Sequence, residues 1–570
     1  VTTENDGFVF APPRPWVSSY ADGVPHDLAP ISGSLMDLVA DSAAEHPDAP
    51  ALEFFGRVTT YAELIDAIER AANGLRQRGV KKGDTVAIVL PNCSQHIIAF
   101  YAVLRLGAIV VEHNPLYTPR ELRKQFEDHG ARHAIVWSKV ASTIQDFPDD
   151  LVVENLIAVD VTKGMPAAMQ VALKLPFRKL VDLRDQLTED VVGGVSWEAV
   201  VSSEPLGSDV ASPDTDDIAV IQYTSGTTGT PKGASLTHRN LLANAMQARA
   251  WIPQVTRGEG TVFYAVLPMF HAYGLTLCLT FAMSQAARLV LFPKFDPDMV
   301  LKATKKRPAT VLPLVPPIAD RLMRRAQEKG MSIAGTGIGV SGAMALDDAL
   351  VTPWEQLTGG ILVEGYGLSE CSPVLMVNPV SDKRRAGSIG LPVPGTEVRV
   401  VDPEEPTRDV GVGQPGELLV RGPQVFSGYY GRPEETEQVF VDGWFRTGDV
   451  VEMDDEGFFT VVDRIKELII TGGFNVAPTE VEMALRQHPA IADAAVVGLP
   501  SPDGEEVVAA VVLDGSPAFD PEEVRGFVKQ VLTPYKAPRR LFIVDELPKS
   551  MIGKVLRRQV KEQLLARDAS

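Results

Sequence analysis

Apolar positions recur along this chain with two different spacings, and the spacing changes where the architecture should change. In "VTTYAELIDAIERAANGLRQRGVKKGDTVAIVLPN" the apolar residues Leu64, Ile68, Ala71 and Leu75 fall on one face of a helix, and "TVAIVL" reads as a buried strand. Helix and short apolar strand then alternate to about residue 390, as in "AARLVLF", "ATVLPLVPPIADRLMRRA" and "ILVEGYG". That alternation predicts an α/β fold with largely parallel sheets. After Gly390, "GTEVRVVD", "GELLVRG" and "GFFTVVDR" are short strands between Gly, Pro and Asp turns, which suggests a small β-rich unit. From about residue 467 helix and strand mix again over roughly 100 residues, enough for a separate small α+β domain.

Two segments need separate treatment. Residues 1–30, rich in Pro, Gly and Asp, are expected to wrap loosely on the surface. Gly260 to Ala287 carries no Asp, Glu, Lys or Arg and is long enough to span a bilayer. Pro268, His271, Gly274, Ser284 and Gln285 interrupt it, however, and "LPMFHAYG" reads as strand, turn, then helix. A buried core element is the better reading.

Composition narrows the partners more than the fold. At 570 residues the chain is too long for one core. Its net charge of −20 disfavours nucleic acid, whose phosphates need a basic footprint. The cysteines, Cys93, Cys278 and Cys371, lie far apart with no C-x-x-C spacing, so a reducing compartment is expected and a disulfide or zinc scaffold is not. "VTTENDGFVFAPPRPW" has no secretory-signal pattern. A cytoplasmic location is expected.

The chemistry concentrates in "YTSGTTGTPKG", Tyr223 to Gly233, which holds five Ser/Thr hydroxyls, three glycines and one lysine. It follows an apolar strand, "DIAVIQ", and a helix is expected from about His238. Backbone N–H groups at Gly226 and Gly229 can approach an anion without Cβ obstruction. Ser225, Thr227 and Thr228 add hydroxyl donors and Lys232 adds charge. The Walker pattern is absent, because Pro231 stands five residues after Gly226 and is followed by Lys232 and Gly233. On the residues alone the rival is a Ser/Thr/Gly-rich surface turn.

The string resembles the phosphate loop of the adenylate-forming enzymes, which include acyl-CoA synthetases, peptide-synthetase adenylation domains and firefly luciferases. "EGYGLSE" (364–370) resembles their adenine and metal motif, "GWFRTGD" (443–449) their ribose motif, "DRIKELIITGGFNVAPTEVE" (463–482) their hinge, and "PKSMIGK" (548–554) their C-terminal lysine motif. The motifs come in the family's order and cover roughly residues 30–560. "GYGLSECSPVLMVNP", "GSIGLPVPGTEV" and "GFNVAPTEVE" are most similar to bacterial long-chain fatty-acid–CoA ligases. Ser369 stands where the family often has Thr, and both carry a hydroxyl.

The resemblance implies a large N-terminal domain, 1–465, of parallel-rich sheets with helices and a small β-barrel-like unit. A mobile α+β domain, 466–570, would follow a hinge at about 463–467. It implies ATP, Mg²⁺ and coenzyme A as cofactor and co-substrates. A carboxylate would attack the α-phosphorus of ATP, and the CoA thiol would then take the acyl group. By residue, Thr224, Ser225, Gly226, Thr227, Thr228, Gly229 and Lys232 would cradle the β- and γ-phosphates. Glu370 and Thr224 would hold Mg²⁺. Tyr366, between Gly365 and Gly367 and followed by Ser369, would stack on adenine, with Gly342 and Ala343 on the other side. Asp449 would bind the ribose diol, with Arg464 beside it. Lys554 would meet the substrate carboxylate and α-phosphate, its rival being an ordinary solvated tail lysine. Lys466 would sit at the hinge, and Gly472, Gly473 and Phe474 would border the pantetheine channel, for which a plain turn is a serious rival. His271 would lie by the acyl carboxylate.

Amino-acid-activating relatives place an Asp shortly after the matching aromatic to hold the ammonium group; "HAYG" offers no acid there, so the resemblance disfavours amino acids as substrates. "GLTLCLTFAM" (274–283) and "LPLVPPIADRLM" (312–323) are the expected walls of an acyl tunnel. A basic stretch, 163–187, sets Lys163, Lys174, Arg178, Lys179 and Arg184 against Asp182 and Asp185, with Met and Leu interleaved. It reads equally as an anionic-membrane contact on the inner face of the plasma membrane and as a surface helix. Assembly, a dimer for example, is left open. The rival functions are a ligase for aryl or other acids, transfer to a carrier-protein thiol, and a non-catalytic lipid or acyl-adenylate binder.

Overall fold

A computed structural model describes residues 14–148, 150–207, 210–224, 231–471, 474–501, 504–515, 519–550 and 553–568. Local rules visible in the sequence set many of its elements. The helix Tyr61–Gln77 starts at a capping box in which Thr60 accepts from the Glu63 N–H and Glu63 reaches back. Leu64, Ile68, Ala71 and Leu75 are all buried, as the spacing predicts. The helix Pro119–His129 has the same box at Thr118 and Glu121 and stops at Gly130, whose φ is +61°.

Two large sheets carry most of the chain. One has eight strands and centres on Thr85–Val89, Ile109–Glu112 and Ile218–Thr224, all parallel. The other has nine, with a parallel middle that includes Val262–Ala265, Val311–Leu314, Ile338–Ser341 and Ile361–Gly367. Helices Tyr61–Gln77 and Ser94–Arg105 pack on each other and reach strands of both sheets. One continuous apolar core fills the space between, from Ile88 and Phe100 to Phe263 and Phe281. The β-rich unit expected after residue 390 is a five-stranded antiparallel sheet built around the long strand Trp444–Met453.

The last sheet belongs to the C-terminal part and includes Ile491–Ser501 and Gly504–Leu513. Its strands alternate between two apolar layers. Val496, Ala509 and Val511 face the helices Pro478–Arg486 and Pro521–Val531, while Val497, Val508 and Ala510 pack with Val560 and Leu564 of Arg557–Asp568.

The structure differs from the sequence reading in three places here. The glycine-rich loop does not lead straight into a helix. Lys232–Thr237 is a strand antiparallel to Ile218–Thr224, and the helix follows it from His238, where the sequence reading expects it. Alternating "KGASLT" is too short to distinguish from a loop end by pattern alone. The N-terminal segment is not loose from Arg14 on. Trp16 and Tyr20 are buried, with Tyr20 edge-on to Trp251 at 5.1 Å and its hydroxyl donating to the Pro392 carbonyl at 2.6 Å. Burial of two aromatic rings outweighs the Pro/Gly signal. The uncharged segment is buried from Ala272 to Ser284, but Leu275–Phe281 adopts a π-helix that no periodicity announced. Among the described residues no helix is long and apolar enough to cross a membrane.

Candidate active site

Parallel strands open a crevice at their carboxyl ends, and the predicted residues gather there. Ile338–Ser341 and Ile361–Gly367 are paired neighbours, so Gly342 and Ala343, just past the first, come beside Gly365, Tyr366 and Gly367 of the second. His271 follows Val262–Ala265 of the same sheet. Thr224 closes Ile218–Thr224 in the other sheet, and Lys232 faces it across the hairpin. All of these line one cavity of about 620 Å³, together with Ser369, Glu370, Arg464, Lys466 and Lys554.

The turn that follows Tyr366 is sterically strict. A Cβ on Gly367 would lie 1.9 Å from the Pro373 carbonyl oxygen, so only glycine fits. Lys554 enters from the C-terminal part. Its loop is tied by Ser550 N–H to the Lys554 carbonyl at 2.8 Å and Gly553 N–H to the Ser550 carbonyl at 2.8 Å. Gly553 has φ +83° and seats against Pro317 of the large part, where a Cβ would come within 3.0 Å of the proline ring.

Protein surrounds these groups while they keep contact with the cavity, and their ionisation follows from that depth. Burial, with Arg464 second, lowers the Lys554 pKa to about 8. Burial, with Lys554 second, lowers that of His271 to about 4, so the imidazole is neutral at physiological pH. Its Nδ1 accepts the Tyr273 N–H at 3.3 Å, which puts the proton on Nε2. Burial raises the Glu370 carboxyl, and Oε1 accepts the Tyr429 hydroxyl at 2.9 Å. Glu370 and Thr224 offer the oxygen donors that a hard cation such as Mg²⁺ takes, so the donor set fits the ion.

Asp449 is placed differently from its neighbours. It is buried, its Oδ2 accepts the Tyr366 hydroxyl at 2.5 Å, and its Oδ1 lies 2.8 Å from Arg464 Nε. The carboxylate is thus covered by two of the residues expected around the nucleotide. A buried carboxylate must find donors, and these two are in reach. The Asp449 charge in turn raises the Arg464 pKa. Ser225, Gly226, Thr227, Thr228, Gly229, Gly472 and Gly473 lie outside the described residues, as does the side chain of Phe474.

The expectation for the two acyl-wall segments is partly corrected. Leu277 and Phe281 line the cavity as expected, but none of residues 312–323 is among its described lining residues. Leu312 and Leu314 are spent inside the sheet core. Ala248, Trp251 and Ile252, at the end of the helix His238–Trp251, line it instead, with Val374 and Val377. Nothing in the sequence marked that helix end. Tyr429 was missed as well, although "GYYGRPEET" sets two tyrosines between glycines, an available signal.

The sequence model described as AMP-binding enzyme matches residues 39–430, more than half the chain. The chain belongs to the AMP-binding enzyme family. The model of the AMP-binding enzyme C-terminal domain matches residues 480–554 and so ends at Lys554. A long-chain-fatty-acid–CoA ligase of Bacillus subtilis (strain 168) is 38% identical over 551 residues, 96% of this chain and 98% of that protein. Among solved structures, ATP-bound MatB from Rhodopseudomonas palustris superposes with a TM-score of 0.80 at 29% identity, covering 94% of this chain and 99% of that one. The anthranilate CoA ligase AuaEII, in complex with anthranoyl-AMP, gives 0.82 at 25% identity, covering 95% and 99%. For a member of the AMP-binding enzyme family, mixed α/β architecture with a large N-terminal and a small C-terminal part is the shared fold.

Proposed function

We propose that the chain activates a fatty acid, of long or medium chain, with ATP and passes the acyl group to coenzyme A. The observation that carries this reading is one cavity with two characters. Its lining includes both the polar groups Thr224, Lys232, Glu370 and Lys554 and the apolar groups Ala248, Trp251, Ile252, Leu277 and Phe281. A carboxylate head and a hydrocarbon tail fit such a cavity. The long-chain-fatty-acid–CoA ligase relative supports the chain-length class.

In the first half-reaction a carboxylate oxygen bonds to the α-phosphorus and the bond to the pyrophosphate oxygen breaks. The loop 224–232 cradles the leaving phosphates, and Glu370 with Thr224 would hold Mg²⁺. That ion, when bound, offsets phosphate charge. Tyr366 stacks on adenine against Gly342 and Ala343, and Asp449 with Arg464 takes the ribose, which requires the Tyr366–Asp449 contact to give way. Neutral His271 donates Nε2–H toward the acyl carboxylate. The Lys554 ammonium neutralises charge as the two anions approach, a contribution of about 10²–10³ in rate. In the second half-reaction the CoA sulfur bonds to the acyl carbonyl carbon, the bond to the AMP oxygen breaks, and the thiol proton is released. We assign 1–465 and 466–570 as the two domains, with rotation at 463–467 about Lys466. Rotation withdraws Lys554 and brings Gly472, Gly473 and Phe474 to the pantetheine.

Pyrophosphate release with Mg-ATP across C4 to C20 acids, with aryl acids alongside, tests the reading. A maximum at C12–C18 with CoA-dependent thioester is expected. Activity only on aryl acids, which the fold shared with an anthranilate CoA ligase favours as the second reading, would overturn the substrate.

The basic stretch is proposed as a membrane contact. It forms the helices Ala167–Ala172 and Arg178–Leu187, and Val171, Leu175 and Phe177 stand exposed beside Lys174, Arg178 and Lys179. Exposed apolar groups ringed by lysine and arginine suit an anionic bilayer surface. Flotation with anionic vesicles should be lost in Phe177→Ser, and no flotation of the parent chain would refute the contact.

A further inference from the structure

Tyr429 touches two groups that the proposed reaction needs apart. Its hydroxyl donates to Glu370 Oε1 at 2.9 Å, and the Lys232 Nζ sits over its ring at 5.1 Å from the centroid. Both contacts are inside the cavity, which Tyr429 itself lines. The tyrosine is fixed from behind. Gly428–Tyr429 is a strand pairing with Lys232–Thr237, with Tyr429 opposite Ala234. The Tyr430 N–H donates to the Gly233 carbonyl at 2.8 Å, and the Tyr429 N–H donates to Thr436 Oγ1 at 2.9 Å. Phe426 packs edge-on against the ring at 5.0 Å, and its N–H donates to the Glu370 carbonyl at 2.8 Å. The segment 426–430 is therefore stitched both to the backbone of Glu370 and to the strand that begins with Lys232.

A lysine and a glutamate sharing one poorly solvated cavity attract strongly and tend to close into an ion pair. Among the described residues no ion pair joins Lys232 to Glu370. The phenol ring offers each of them a weaker partner. Its negative face takes the ammonium and its hydroxyl takes the carboxylate. Neither group is neutralised, and each stays available to a ligand of the opposite charge.

We propose that Tyr429 is a positioning residue that holds the Glu370 carboxylate for a divalent cation and the Lys232 ammonium for the phosphates of ATP. The proposal rests on the reading of Glu370 and Lys232 given above. The hydroxyl acts on the cation side only, and the ring acts on the phosphate side only, so the two functions separate by substitution.

The test measures binding rather than turnover. Mn²⁺ binding in the presence of a non-hydrolysable ATP analogue is followed by the EPR signal of free Mn²⁺, and analogue binding without metal by calorimetry. Tyr429→Phe keeps the ring and should weaken Mn²⁺ binding roughly tenfold, the size of one hydrogen bond to a charged group, with metal-free analogue binding unchanged. Tyr429→Leu should weaken both. Glu370→Gln serves as reference. Wild-type Mn²⁺ binding in Tyr429→Phe, with binding lost in Glu370→Gln, would overturn the role of Tyr429 alone. Wild-type binding in Glu370→Gln would overturn the metal reading of Glu370 and the proposal with it. A Tyr429→Phe chain that loses metal, analogue and fatty-acid binding alike would mark a general structural defect and also overturn it.

Discussion

Raising the pH should switch off the adenylation step while relieving a strain on the fold, because both effects run through Lys554. Its pKa falls from the ordinary 10.5 to about 8, through burial first and Arg464 second, with Glu467 and Asp449 opposing and Arg557 adding to the fall. At about 1.4 kcal/mol per pH unit, holding this lysine charged in the folded chain costs at most about 3 kcal/mol. The bound is an upper one because the ammonium keeps contact with the cavity. At pH 7 about nine-tenths of the chains carry the charge, and at pH 9 about one-tenth do. The kcat/KM for ATP reports the free enzyme and should fall about tenfold per pH unit above 8. Stability moves the other way. Between about pH 8 and 10.5 the unfolded chain binds this proton and the folded chain does not, so this group's contribution rises with pH across that window. Below pH 8 both states bind it and the folded state bears the full cost. ATP–pyrophosphate exchange from pH 6.5 to 9.5 measures the first effect, and denaturant midpoints measure the second. Lys554→Arg, charged throughout, should retain part of the activity and lose the alkaline fall. The reasoning is refuted by a profile flat to pH 9.5, or by the same fall in Lys554→Arg.

Three further expectations follow from the same geometry. Glu370→Gln should lower kcat/KM for ATP by about 10²–10³ with little change in melting temperature, and a loss under fivefold would remove Glu370 from the reaction. Gly367→Ala drives a Cβ to 1.9 Å from the Pro373 carbonyl oxygen. It should destabilise by about 1–3 kcal/mol and raise KM for ATP, and unchanged melting with unchanged KM would show that the turn is slack. Leu277→Trp enlarges an apolar side chain that lines the cavity and should shift the acid profile to shorter chains. Each methylene denied burial is worth about 0.8 kcal/mol, near fourfold in relative kcat/KM. An unmoved profile would place the tail elsewhere.

The sequence by itself determined what is local. Capping boxes at Thr60 and Thr118, the apolar spacing of 64–75, and the glycine at 367 are each decided within a few residues by hydrogen bonding and sterics. The ordered motifs, by their resemblance to a known family, likewise pointed to Lys232, Glu370 and Lys554. The tertiary structure alone decided what depends on residues far apart. Tyr366 and Asp449 are 83 positions apart, and only folding brings that hydroxyl to that carboxylate. Trp251 and Ala248 line the cavity because a helix happens to end there, while Leu312 and Leu314 are taken by the core. Tyr429 meets Glu370 across 59 positions through a two-residue strand too short for any pattern. Periodicity records which face of an element is apolar. It does not record which other element meets that face, because packing is settled by the shape and burial of the whole chain at once.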